Sequence, residues 1–196
     1  MKTPAHKLLL GPLLALALTL TLPAPAQTLR ETDWERGMLD KRTKVGVWEY
    51  FGRTPSQRQV LVQRYDHDHR KLLFYRPIGE ILYRMETAPG TWRTQRLDQP
   101  PLFIGGDAAL ATYTTRLNYP ETAQNNNVQG RVVVSFVIDT LGRTSNHKLV
   151  TRIGSGCDEE ALRVVRTIPP EWVPGRLGSR AVPVEYELPL TFRLAQ

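Results

Sequence analysis

A chain of 196 residues with a formal charge of +7, from 26 lysines and arginines against 19 aspartates and glutamates, has room for one or two domains. Its single cysteine, Cys157, excludes an intramolecular disulfide and any site built from spaced cysteines. The arginines, among them Arg84, Arg93, Arg96, Arg176, Arg180 and Arg193, lack an interleaved aromatic ladder, so they read as solvated faces and exclude nucleic acid as the expected partner.

The chain opens MKTPAHKLLLGPLLALALTLTLPAPAQ. Lys2 and Lys7 precede an apolar run from Leu8 to Leu22, and small residues follow at Ala24 and Ala26. This order predicts an export signal, residues 1–26, cleaved after Ala26 to leave a mature chain from Gln27. The run falls short of the roughly 20 residues that span a bilayer comfortably, with a thin uncleaved anchor as the alternative. Without the two signal lysines the charge falls by two, from +7 to +5. That balance steers encounters with acidic surfaces without specifying them.

Residues 27–99 form a β-rich segment. RETDWERGMLDKRTK, at 30–44, reads as polar and irregular, with Trp34 and Met38 as packing points. Strand patterns follow at 45–51, 58–66, 71–77 and 80–86, separated by Pro55, Asp66, Asp68, Pro77, Gly79, Pro89 and Gly90, which predicts an antiparallel meander. TWRTQRLDQPP at 91–101 offers one more strand. Extended backbone at YDHDHR would place His67 and His69 on one face beside Asp66 and Asp68, but a charged turn is the expected reading and no metal site is predicted.

From Pro100 the patterns lengthen. Leu110, Tyr113 and Leu117 share a helical stripe over 107–118, with Asp107 as the expected N-cap, and Tyr119 and Pro120 close it. RVVVSFVID at 131–139 is apolar on both faces and reads as a central strand, and SNHKLVTR at 145–152 returns from a turn containing Gly142. CDEEALRVVRTI at 157–168 reads as a helix with acids first, basic residues last, and Ala161, Leu162, Val165 and Ile168 facing the core. Pro169 and Pro170 stop it. Trp172 is expected to plug one end of the core, with an exposed binding role as the alternative. In VPVEYELPLTFRL, seven alternating apolar residues from Val182 to Leu194 predict one long strand. Pro183 and Pro189 cannot donate to a ladder, so one edge is expected to be open, with Val184–Leu188 the stretch expected to pair.

VGVWEYF followed by LLFYRPIGEILYRM loosely resembles the glycine and aromatic hairpins of MORN-type proteins, which implies a structural sheet. The order helix, strand, strand, helix, strand is carried by YPETA, VQGRVVVSFVIDTLGR, CDEEALRVVRTIPPEWVPG and ELPLTFRL, with PLFIGGDAAL as lead-in. Over residues 100–196 it resembles the C-terminal domain of TonB-type energy transducers. The resemblance implies an α+β fold, a small twisted antiparallel sheet packed against two helices. It also implies a non-enzymatic module that pairs with an envelope or outer-membrane protein, such as a TonB-dependent transporter, by strand addition. Carried onto this sequence, the docking candidates are Val184, Glu185, Tyr186, Glu187 and Leu188, with Trp172 beside them. Such domains act in the periplasm or, when the N-terminus is uncleaved, from the inner membrane facing it, and a homodimer is possible.

No serine elbow, spaced metal motif or glycine-rich phosphate loop accompanies these patterns, and Ser155 in GSGC has no nearby histidine. Cys157 reads as a small residue at a helix start. The sequence therefore predicts no enzyme and no cofactor. Three readings remain: a periplasmic binding module, a membrane-anchored transducer, and a structural envelope protein that uses the domain as a scaffold.

Overall fold

A computed structural model describes residues 27–77 and 81–194, so the predicted signal lies outside the described residues. Five strands form a meander in sequence order: β1 (Thr28–Glu31), β2 (Glu35–Asp40), β3 (Thr43–Arg53), β4 (Gln59–Asp66) and β5 (Lys71–Tyr75). The segment at 30–44, read from sequence as irregular, supplies most of β1 and β2. The reason is Gly37. A Cβ there would stand 2.4 Å from the ring of Trp48, so the indole lies on bare backbone of the neighbouring strand. Trp48 Nε1 then donates to the carbonyls of Met38 and Val45, both at 3.1 Å, and ties β2 to β3.

Trp48, Tyr50 and Tyr65 form the buried face of this sheet, packed with Val173 from the C-terminal half. His67 joins that face: its Nε2 lies 2.7 Å from the Tyr50 hydroxyl, and its ring meets Trp48 and Tyr65 edge-on. His69 instead occupies the exposed turn, bonded through Nδ1 to Asp66 at 2.8 Å. The two imidazoles therefore do not share a face, because the turn after Asp66 ends the extended backbone that would have aligned them. Among the described residues no cluster of side chains has metal-binding geometry.

The second sheet has the order β10-β9-β14-β6-β7, all neighbours antiparallel. Its strands are β6 (Leu82–Ala88), β7 (Thr91–Arg96), β9 (Gly130–Ile138), β10 (Thr144–Thr151) and β14 (Val184–Phe192). Thus β6 and β7, which precede Pro100, are built into the same sheet as the C-terminal strands. Between them in sequence come β8 (Leu102–Phe103), α1 (Gly106–Thr114) and α2 (Glu121–Asn125). After β10 come α3 (Cys157–Thr167), β11 (Trp172–Val173), β12 (Gly175–Leu177) and β13 (Arg180–Val182). β8 pairs with β11, and β12 with β13.

α3 covers one face of the second sheet, and α1 packs against α3, β8 and β3 of the first sheet. Ala161, Val164, Val165 and Ile168 of α3 and its C-cap meet Val132, Val134, Phe136 and Ile138 of β9 and Leu188, Leu190 and Phe192 of β14. This is the α+β arrangement expected from sequence. α3 follows the reading closely because Asp158–Glu160 sit at its start, Arg166 sits in its last turn, and the Asp158 carboxylate bonds the Ile153 amide ahead of it. α1 is shorter than the predicted 107–118. Its N-cap is Gly105 at φ 104 with no side-chain cap, so Asp107 lies inside the first turn. Cys157 is fully buried at the start of α3, where burial raises its thiol pKa.

The predicted strand over 182–194 is divided. Val182 ends β13 and Val184 begins β14, with the break at Pro183. A proline there removes one donor and lets Val182 turn back into the β12–β13 hairpin.

Candidate docking edge

β14 is paired with β9 along its whole length, from Val184↔Ile138 to Phe192↔Gly130. On the opposite side β6 reaches only its first two residues, Val184↔Met85 and Glu185↔Arg84. The Glu86 amide also donates to the carbonyl of Pro183 at 2.9 Å. In an antiparallel strand the N–H and C=O of one residue point to the same side, and the side alternates with each residue. The Pro183 bond therefore sets the parity: odd-numbered residues of β14 present their backbone toward β6, even-numbered ones toward β9.

Beyond Glu185 no described strand pairs with β14 on the β6 side. Among the described residues, the outward groups left there are the N–H and C=O of Glu187, the C=O of Pro189, and the N–H and C=O of Thr191. Three acceptors and two donors form a rim that an extended segment satisfies by continuing the ladder. The prolines explain why the sheet tolerates them: Pro183 and Pro189 are both odd, so neither withholds a donor from β9.

The predicted docking residues divide accordingly. Val184 is completely buried and Glu185 is ion-paired to Arg84, and the backbone of both is engaged, that of Val184 with β9 and that of Glu185 with β6. Tyr186 and Leu188 turn their backbone to β9 and their side chains to the core, where burial, with help from Asp107 and Tyr83, pushes the Tyr186 phenol up to about 12. Glu187 alone of the five lies on the open rim with an exposed side chain, and it makes no ion pair among the described residues. Pro189 and Thr191, outside the predicted stretch, complete it. The spacing of the two prolines carried this information, since each marks a position whose amide side faces away from a required partner.

Trp172, the sixth candidate, is buried away from the rim. It is 4% exposed, and its ring packs against Tyr186, Phe103 and Phe136 at centroid distances of 5.0, 5.2 and 5.6 Å. Its indole N–H is buried without an acceptor among the described residues. The turn containing Gly142 closes over its backbone, where a Cβ on that glycine would stand 2.0 Å from the Trp172 carbonyl oxygen. The core-plug expectation describes what this residue does. The exposed alternative fails because three aromatic rings surround it.

β6 is firmly held where it meets β14. Met85 is 0% exposed, packed with Leu97, Val182 and Val184, and its sulfur accepts from Gln95 Nε2 at 3.4 Å. Complete burial of such a side chain is worth about 2 kcal/mol. Arg84 pairs with Glu185 and lies over the ring of Trp92. The other edges of the sheet are less inviting: β10 carries two register shifts and Asn146 at φ 54, and β7 is a short strand bearing Arg93 and Arg96.

Residues 115–194, which contain β9, β10, α3 and β14, match the family model described as the Gram-negative bacterial TonB protein C-terminal. Residues 115–194 are a TonB C-terminal family region. The NMR solution structure of the Helicobacter pylori TonB C-terminal domain aligns at 20% identity, covering 45% of this chain and 92% of its own, with a TM-score of 0.34. A comparison with curated proteins gives no match. In the matched region the last strand is β14, and the rim from Glu187 to Thr191 is its backbone left unpaired among the described residues.

Proposed function

We propose that this protein is a periplasmic binding module whose TonB-type domain captures an extended segment of an envelope or outer-membrane transport protein along the open side of β14. The observation that supports the reading is the backbone from Glu187 to Thr191, unpaired on its β6 side among the described residues, on a strand otherwise locked into the core. Backbone pairing of this kind gives affinity with little demand on sequence, and side chains on alternate faces supply selectivity. A TonB-dependent transporter is the partner the family suggests. No step of bond making or breaking is assigned to the protein, and its task is recognition.

The test replaces Glu187 with proline. Because the Glu187 amide faces outward, Glu187→Pro removes a docking donor and leaves the β9 ladder intact, as Pro189 already does two residues on. Phe136→Pro removes an amide that faces β14 within the Tyr186↔Phe136 pair and is expected to unfold the domain. A photo-crosslinker at Thr191, presented to outer-membrane vesicles containing a TonB-dependent transporter, is expected to give an adduct that Glu187→Pro abolishes. An undiminished adduct from a folded Glu187→Pro variant would reject this docking edge. N-terminal sequencing of the envelope-derived protein separates the two modes of action: a start at Gln27 fits the module, whereas an intact Met1 fits an anchored transducer.

A further inference from the structure

The β6–β7 hairpin comes from the segment ahead of the family match and occupies the part of the β14 edge just before the rim. β6 leaves β14 after Arg84. Leu82, the residue next in register to face Glu187, keeps its partner Arg96 on the β7 side but has none in β14, and it is 66% exposed. Ile81 beside it is 46% exposed. β6 therefore ends its pairing just ahead of Glu187, and the exposed apolar residues Ile81 and Leu82 stand at that end of the rim.

We propose that the β6–β7 hairpin is a fixed register stop. It restricts a docking partner to a five-residue extended segment along Glu187–Thr191, and that segment carries a cationic side chain facing Glu187. The inference rests on the edge-docking reading above. Three observations carry it. Met85 is sealed between Val182, Val184 and Leu97, and Arg84 bridges Glu185, so an incoming strand does not displace β6. The rim offers outward amides at Glu187 and Thr191 only, which fixes two doubly bonded pairs four residues apart. Side chains directly opposite one another on an added strand share a face, so the residue facing Glu187 meets a carboxylate that has no other ionic partner among the described residues. Opposite Pro189 the partner's amide donates to the proline carbonyl, but its own carbonyl finds no donor there, which favours a small residue that leaves that carbonyl open to water.

The experiment supplies the strand in cis, where a tether raises its effective concentration. The sequence Thr-Val-Ser-Val-Lys is fused through a flexible glycine–serine linker after Gln196 of the full mature chain, so that it returns antiparallel beside β14. Amide hydrogen exchange is then read residue by residue by NMR. Protection at Glu187 and Thr191 is expected to rise at least tenfold, with Glu185 unchanged. A version ending in glutamate is expected to protect several-fold less. An eight-residue version, extended by Val-Thr-Val, is expected to pair no further than Glu187 while the Met85 to Val184 contact persists. If the longer strand instead pairs with Glu185 and that contact is lost, the register stop is overturned and edge docking stands. Equal protection by the lysine and glutamate versions overturns the charge preference. If neither Glu187 nor Thr191 gains protection, edge docking itself fails, and the stop falls with it.

Discussion

Two buried tryptophans in this protein have opposite polar situations, and exchanging each for phenylalanine separates them. Trp48 is 0% exposed and its N–H serves two carbonyls at 3.1 Å, whereas Trp172 is 4% exposed and its N–H serves none. Either substitution trims an indole to a phenyl ring and loses about 1 kcal/mol of packing. At Trp172 the change also deletes an unsatisfied buried donor, a relief of about 1 to 2 kcal/mol, so the net effect should lie within about 1 kcal/mol of zero. At Trp48 the change removes the shared donor of Met38 and Val45, and the loss should reach about 2 to 3 kcal/mol. Urea unfolding followed by circular dichroism reads the difference as a shift in midpoint at constant slope. Trp172→Phe losing as much stability as Trp48→Phe, or more, would show that the indole N–H bookkeeping is wrong.

Further outcomes follow from the same geometry. His67 is held below its ordinary pKa by burial first and by Lys44 second, with Asp68 and Asp66 opposing. The unfolded chain therefore takes up the proton more readily, and stability present above about pH 6.5 is lost as the pH falls below it. His67→Gln, which keeps a partner for the Tyr50 hydroxyl, should flatten the fall in urea midpoint between pH 7 and pH 5. His69 titrates in the opposite sense, raised by its bond to Asp66, but it is fully exposed and its variant should leave that slope nearly unchanged. Gly142→Ala should destabilise by more than about 3 kcal/mol, because the glycine sits at φ 79 and its Cβ would overlap the Trp172 carbonyl. A thermal melt indistinguishable from the parent would contradict that contact.

The C-terminal elements were readable because their periodicity is long and their chemistry consistent. α3 combines an apolar stripe, acidic residues at its start and paired prolines at its end, and β14 alternates without fault from Val184 to Phe192. The β1–β2 hairpin was missed because its strands are mostly polar and depend on Trp48 settling over Gly37, a contact between strands that no local pattern announces. The placement of β6 and β7 was hidden for a related reason. Their alternation identified them as strands, but alternation names a face and not a neighbour. The pairing of β6 with β14, about a hundred residues away, is fixed by Met85 fitting between Val182 and Val184 and by Arg84 meeting Glu185, and β7 follows as the partner of β6. The open edge was legible as a strand with one side unpaired among the described residues. Which residues own the open side became clear only once the Glu86 to Pro183 bond set the parity.

The shared sheet also bears on how the protein can be divided for study. A fragment begun at Pro100 would forfeit Met85 and Leu97 together and lay Val182 and Val184 bare to water along a newly raw margin. Such a fragment is expected to seek cover by borrowing a strand from a second fragment. Any dimer it forms would record the cut, and only preparations beginning ahead of Leu82 would report how the intact chain behaves.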